Sequence, residues 1–146
     1  MPLNRSWVVF SAVTTTLLFV IAISPYLLHD SLAEWLGSWQ KLMFADICHQ
    51  DLTRTIFVND IPAAVCGRCL GIYAFLSVGF ICVPFFKRFL IKNFRYSKAL
   101  LLLTFVIMLI DYIIQWLGFY DGSNLTRFAT GAALGLSATL FIFFQK

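Results

Sequence analysis

The chain has 146 residues, of which 60% are hydrophobic and only 12% charged. That balance lies well below the ~25% charged residues usual in a soluble domain, so it excludes an ordinary water-soluble core and leaves room for one membrane-embedded domain, residues 1–146. The net charge of +4 is sorted by loop, a pattern of membrane topology and not of nucleic-acid binding.

Trp7 to Leu28 runs 22 residues without a charge, about 33 Å of helix at ~1.5 Å per residue, enough to cross a hydrocarbon core of roughly 30 Å. As a signal peptide it fits poorly. Ala22-Ile23-Ser24 is followed by Pro25, which suits an extended cleavage site badly, and the block is longer than a usual signal core. A retained first span over about 7–28 is expected, with Pro25 kinking or ending its far side. Ser31-Leu32-Ala33-Glu34 then has the form of a capping box. Leu32, Trp35, Leu36, Trp39, Met43 and Ile47 recur at helical spacing, so an amphipathic helix over about 31–47 is expected to lie at the membrane surface.

That helix delivers the chain to Cys48-His49-Gln50 and an outer loop over about 48–66. Asn59-Asp60-Ile61-Pro62 signals a turn there, but no periodicity is strong. Further spans are expected over about 69–86, 99–119 and 126–144, the third interrupted only by Asp111. The fold class is therefore all-α, a four-helix transmembrane bundle with one interfacial amphipathic helix, in contact with the lipid bilayer. Lys87, Arg88, Lys92, Arg95 and Lys98 crowd one connection without an acid, and four spans place Arg5 and Lys146 on that same side. The positive-inside rule then puts both termini in the cytoplasm and the cysteine loop outside.

The unusual polar residues share the outer half of this bundle. Cys48, His49, Arg54, Cys66, Arg68, Cys69, Asp111, Gln115, Asn124 and Arg127 come from four segments, yet they fall at similar membrane depth. Cys66-x-x-Cys69 lies at the first turn of the second span, where unpaired amides and the helix dipole favour a thiolate. Cys82 is 13 residues further on, about 20 Å if helical. Bridged Cα atoms lie within roughly 7 Å, so Cys82 cannot pair with the outer cysteines and is expected as a small buried residue.

Three outer cysteines remain, an odd number for static bridging. A C-x-x-C presents two sulfurs across one turn, Cys48 adds a third, and His49 or Asp111 offers a fourth ligand. The set suits zinc ahead of an iron–sulfur cluster, with Arg54 and Arg68 offsetting the thiolate charge. The alternative is a quinone-coupled thiol–disulfide oxidoreductase, with Cys48 as the resolving thiol. A third class is a non-catalytic subunit of a larger membrane complex, which the Gly131-x-x-x-Gly135 face would suit. Haem attachment would need a histidine where Leu70 stands. His49-x-Asp51 with Cys66-x-x-Cys69 departs from a zinc deaminase in having Asp for Glu.

Asp111 costs roughly 2.5–3.5 kcal/mol within a span, so it should face the bundle. Arg127 is its expected partner, with Gln115 and Asn124 completing the hydrogen bonds. This set would line a pocket for a lipid headgroup or quinone. Whether any reaction occurs stays open at this point.

Taken together, Cys48-His49-Gln50 with Arg54, Cys66-Gly67-Arg68-Cys69-Leu70-Gly71-Ile72-Tyr73, Asp111 with Gln115 and Gly118, Asn124 with Arg127, and Thr130-Gly131 through Gly135 resemble a family of small bacterial integral membrane proteins, a domain of unknown function. The resemblance covers about residues 45–136. It implies a bacterial cytoplasmic (inner) membrane location and groups these residues into one site. It names no reaction.

Overall fold

In a computed structural model, residues 5–27, 31–58, 61–90 and 96–144 are described, with side chains over 6–24, 38–57, 61–82 and 96–144. Five helices follow in order: α1 (Arg5–Leu27), α2 (Ser31–Phe44), α3 (Gly67–Leu90), α4 (Ser97–Trp116) and α5 (Asn124–Phe144). Among the described residues, three helical stretches are long and apolar enough to cross a membrane: Ser6–Ser24, Ser97–Trp116 and Asn124–Phe144. Gly67–Cys82 of α3 is a shorter apolar stretch.

The all-α expectation is corrected between α2 and α3. Among the described residues, this connection carries a 3-10 turn (Leu52–Arg54) and an antiparallel hairpin, β1 (Thr55–Val58) with β2 (Ile61–Cys66). Thr55 pairs with Cys66 and Phe57 with Pro62, so the register shifts between Thr55 and Phe57. A bulge of this kind breaks the alternation by which a strand is recognised. β2 also buries three successive residues, Ala63, Ala64 and Val65, because both its faces are covered. Of the expected turn Asn59–Pro62, Ile61 and Pro62 open β2, and Asn59 and Asp60 lie outside the described residues.

α3 is the central helix. It packs on α5 and on α1, while α4 packs on α5. The α3–α5 contact is a close approach of backbones. A Cβ added at Gly131 would lie 2.1 Å from the Arg68 carbonyl oxygen, and one at Gly71 would lie 2.3 Å from that of Phe128. Gly135 meets the Ile72 carbonyl in the same way, at 2.6 Å. The Gly131-x-x-x-Gly135 face is thus used within the chain, against α3, and is not an unpartnered face for another subunit.

Other boundaries move for local reasons. α1 continues through Pro25 to Leu27. α4 stops at Trp116, three residues before the expected end. There Gly118 takes a φ of +74°, and the amides of Gly118 and Phe119 bond the carbonyls of Gln115 and Ile114. This is a left-handed glycine cap of the Schellman type. α5 begins at Asn124, and Ser123 caps it, its Oγ accepting the Thr126 amide at 3.1 Å. α3 extends to Leu90, which takes Lys87 and Arg88 into helix; residues 91–95 of the basic connection lie outside the described residues.

α2 shows where its faces point. Gln40, Phe44 and, one turn on, Cys48 are buried, whereas Trp39, Leu42, Met43 and Ile47 are exposed. The apolar stripe therefore faces away from the core, as an interfacial helix requires. Gln40 fastens α2 to α1 by a hydrogen bond to Ser24 Oγ. The expected capping box at Ser31–Glu34 and Trp35 fall on side chains outside those described. Cys82 is exposed, contrary to its expected burial.

Filling the α3–α5 seam should be costly. Gly131→Leu is expected to destabilise by about 3 kcal/mol or more, at the upper end of overpacking penalties. Leu125→Ala, on an exposed side chain, should stay within about 0.5 kcal/mol. Thermal unfolding in detergent compares the two.

Candidate metal centre

The hairpin brings Cys66, at the end of β2, over Cys48, at the end of the turn that follows α2. Cys69 enters from the first turn of α3. Their three Sγ atoms lie within 4.8 Å of one another, and none is bridged. Sulfurs around a tetrahedral zinc, each ~2.3 Å from the ion, sit roughly 3.8 Å apart, so small rotations close the set on one ion.

Backbone amides favour ionised sulfur here. The Cys66 amide donates to Cys48 Sγ at 3.2 Å. Gln50 adopts a φ of +49°, uncommon outside glycine, and its amide also turns back onto that sulfur. The Gln50 side chain donates to the Lys41 carbonyl at 2.7 Å, which holds this tight turn against the end of α2. The thiols of Cys66 and then Cys69 donate to Cys48 and hold it well below the usual thiol range, against the opposing effect of burial. The same contact with Cys48 pushes the Cys66 thiol up. Ionisation is thus favoured at Cys48 over its neighbour Cys66.

His49 is exposed and lies on the rim of the adjoining cavity, outside the group of converging sulfurs. Asp111 is committed elsewhere. One carboxylate oxygen accepts Arg68 Nη2 at 2.5 Å and the other accepts Gln115 Nε2 at 2.7 Å. The partner expected for Asp111 was Arg127; the structure gives it Arg68. The seam explains the exchange. Gly131 seats on the Arg68 carbonyl, which sets Arg68 level with Asp111. Arg127, one turn before Gly131 on α5, faces Gln115, one turn beyond Asp111 on α4. Arg68 also lies over the Tyr112 ring, 5.7 Å from its centroid.

Arg127 is buried and tied on every side. Its Nε donates to Gln115 Oε1 at 3.0 Å, Nη1 to Asn124 Oδ1 at 3.1 Å and to the Thr53 carbonyl at 3.4 Å, and Nη2 to the Asp121 carbonyl at 2.5 Å. Asn124 donates in turn to the Thr55 carbonyl at 2.8 Å. This joins the α4–α5 connection to the outer loop. Arg54 pairs with Asp51 at 3.3 Å on the half-exposed rim, where Asp51 also accepts both the amide and the hydroxyl of Thr53.

A cavity of about 440 Å³ adjoins the sulfurs. Cys48, Cys66 and Cys69 line it with Arg54, Arg68 and Arg127, and Ile47, Ile72 and Met108 supply apolar wall. Tyr73 and Asp51 also line this cavity, and both were missed as site residues from the sequence. Tyr73 stands one turn beyond Cys69, and that i, i+4 spacing is the signal that could have placed it there. A second hollow of about 370 Å³, lined by Asp111, Ile107, Ile110, Ile114, Tyr120 and Thr130, lies on the other side of the ion pair.

With this geometry in place, the chain can be set beside known proteins. Residues 48–141 match the family described as "Predicted membrane protein (DUF2085)", and the chain belongs to it. An uncharacterized protein of Methanocaldococcus jannaschii is 31% identical over 129 residues, covering 84% of this chain and 80% of that protein. Another, from Methanothermobacter thermautotrophicus, is 32% identical over 98 residues, or 65% of this chain and 83% of the relative. Both of these relatives are archaeal. No solved structure matches.

Asp111→Asn should leave Arg68 as an uncompensated buried charge and cost ~3–5 kcal/mol, whereas Asp111→Asn combined with Arg68→Met should recover much of that loss. Unfolding midpoints of the single and double variants, measured in one detergent, check this coupling.

Proposed function

We propose that this protein is a metal-binding integral membrane protein, with Cys48, Cys66 and Cys69 as thiolate ligands at the outer membrane face. The observation that carries the reading is the convergence of three unbridged sulfurs from three segments within 4.8 Å, with amides turned onto Cys48. Zinc is the metal such a donor set favours. The fourth position falls to His49 on the rim or to a molecule from the cavity, and Arg54, Arg68 and Arg127 offset the thiolate charge. Three protein ligands beside an open cavity describe an exchangeable site and not a closed structural one.

In this reading α1, α3, α4 and α5 cross the membrane as a four-helix bundle, with both termini cytoplasmic and α2 lying in the outer interface. The apolar residues left exposed along α1 and α4 support lipid contact on these helices. The basic residues between α3 and α4 support the orientation. A cytoplasmic membrane, bacterial or archaeal, is the location that fits.

A second reading rests on the same sulfurs. Three thiols this close can also pass a disulfide between Cys66–Cys69 and Cys48, with a quinone as electron acceptor. Protein purified in mild detergent without added metal or chelator separates the two. About one zinc per chain is expected, lost in Cys66→Ser/Cys69→Ser and kept in His49→Ala if the fourth ligand is exogenous. Elemental analysis reads this directly. An absence of metal, with free thiols falling by two on mild oxidation, would replace the metal reading with the redox one.

A further inference from the structure

We propose that the cavity beside the sulfurs binds a phosphate-bearing amphiphile, its phosphate held by Arg54, Arg68 and Arg127 and its apolar part laid against Ile47, Ile72 and Met108. The positive charge of these guanidiniums is not fully matched by carboxylates. Arg68 gives Nη2 to Asp111, and its Nε is buried with no hydrogen-bond partner. Arg127 is only 6% exposed, yet its bonds all go to neutral oxygens. Among the described residues it has no carboxylate partner. Arg54 meets Asp51 through Nε alone, at the wetter edge.

Arg54 and Arg68 keep N–H groups outside their carboxylate contacts, and Arg127 adds a buried positive charge beside them; together they suit an acceptor with several oxygens. A phosphate presents them in the geometry that guanidinium groups match, and a buried cation that is bonded only to neutral groups favours a charged acceptor over a neutral one. The remaining wall decides what the phosphate is attached to. Ile47, Ile72 and Met108 with the rings of Tyr73 and Tyr112 form most of it, which a free inorganic ion would leave unfilled. The cavity lies between α3 and α4, and α4 packs on α5. Ile47 and Tyr112 at its mouth are 69% and 47% exposed, and apolar residues of α4 continue outward from there. An amphiphile can enter along that apolar face with its head toward the arginines. The contacts assigned to the phosphate are guanidiniums and apolar wall, and Cys48, Cys66 and Cys69 line the same cavity, so chelation tests whether the site stands without a metal.

The test titrates the purified full-length protein in mild detergent with short-chain phosphatidylglycerol, phosphatidylcholine of equal chain length, and inorganic phosphate. Binding is read by calorimetry, before and after treatment with a chelator. One phosphatidylglycerol per chain is expected, at least about ten-fold tighter than phosphatidylcholine. Arg54→Gln should weaken it by about ten-fold, the effect of losing one charge-assisted bond. Arg54 is half-exposed, so this variant should fold. Arg68→Lys, which keeps the charge but loses the fork, should weaken binding as well. Inorganic phosphate binding as tightly as phosphatidylglycerol, with the same response to both variants, would support the phosphate site and overturn the amphiphile as its source. Equal affinity for the two lipids, unchanged in Arg54→Gln, would overturn the proposal. Selectivity that survives chelation supports a site independent of the metal, while its loss on chelation would overturn that independence.

Discussion

The contact on which the rest depends is the meeting of the α3 and α5 backbones at Gly71, Gly131 and Gly135. Glycine is required there because the space that a Cβ needs is already filled by a carbonyl of the opposite helix. Lipid tails are as apolar as leucine, so helices in a bilayer gain little from hydrophobic burial and associate by close van der Waals contact instead. Once the two backbones touch, neither helix can rotate or slide without a clash. Every side chain on the facing stripes then has a fixed height and direction.

Two polar contacts follow from that fixed rotation, one turn apart along α4. Arg68 meets Asp111 and Arg127 meets Gln115, while Gln115 also donates to Asp111. The arrangement ties α4 to both helices of the seam, although α4 packs chiefly on α5. From Arg127 the bonds continue into the carbonyls of Thr53 and Asp121, and through Asn124 to Thr55. The connection between α2 and α3 is thereby held against the start of α5. That support fixes β1, the hairpin fixes the end of β2, and the end of β2 sets Cys66 over Cys48.

Much of this was legible in the sequence, for a simple reason. A charged or thiol side chain in an apolar run is conspicuous and expensive, so Cys66, Cys69, Arg68, Asp111 and Arg127 stood out at once. Their grouping at one depth followed from counting residues along helices. The pairing did not follow, because which arginine reaches Asp111 depends on the rotation of α3 against α5. That rotation is set by carbonyl–glycine contacts that no single-helix pattern contains. The hairpin was hidden because the bulge near Ile56 and the two-sided burial of β2 erase the alternation that marks a strand. The apolar stripe of α2 was legible as that of a surface helix, but the side by which α2 attaches to the core was not. Its inward face is Gln40 and Phe44, and an apolar stripe facing outward makes sense only against lipid.

Stability alone does not account for the polar residues gathered near the sulfurs. A buried ion pair can usually be replaced by apolar side chains of similar volume at no loss of stability, and often with a gain. The same chain shows that cheaper fastening was open to it: α4 and α5 are joined deeper in the bundle by Thr104 and Ser137, whose hydroxyls lie 2.7 Å apart. Such a pair holds two helices without any charge to desolvate. Around the sulfurs the chain instead carries three arginines, an aspartate within an apolar helix and an open cavity. The arginines are also arranged so that Arg127 is bonded to neutral oxygens and Arg68 keeps a buried donor unpaired. A purely structural cluster would close on itself and leave no donor over. Here one arginine donor, Arg68 Nε, is left without a protein partner, and Arg68 lines the same cavity as the three sulfurs.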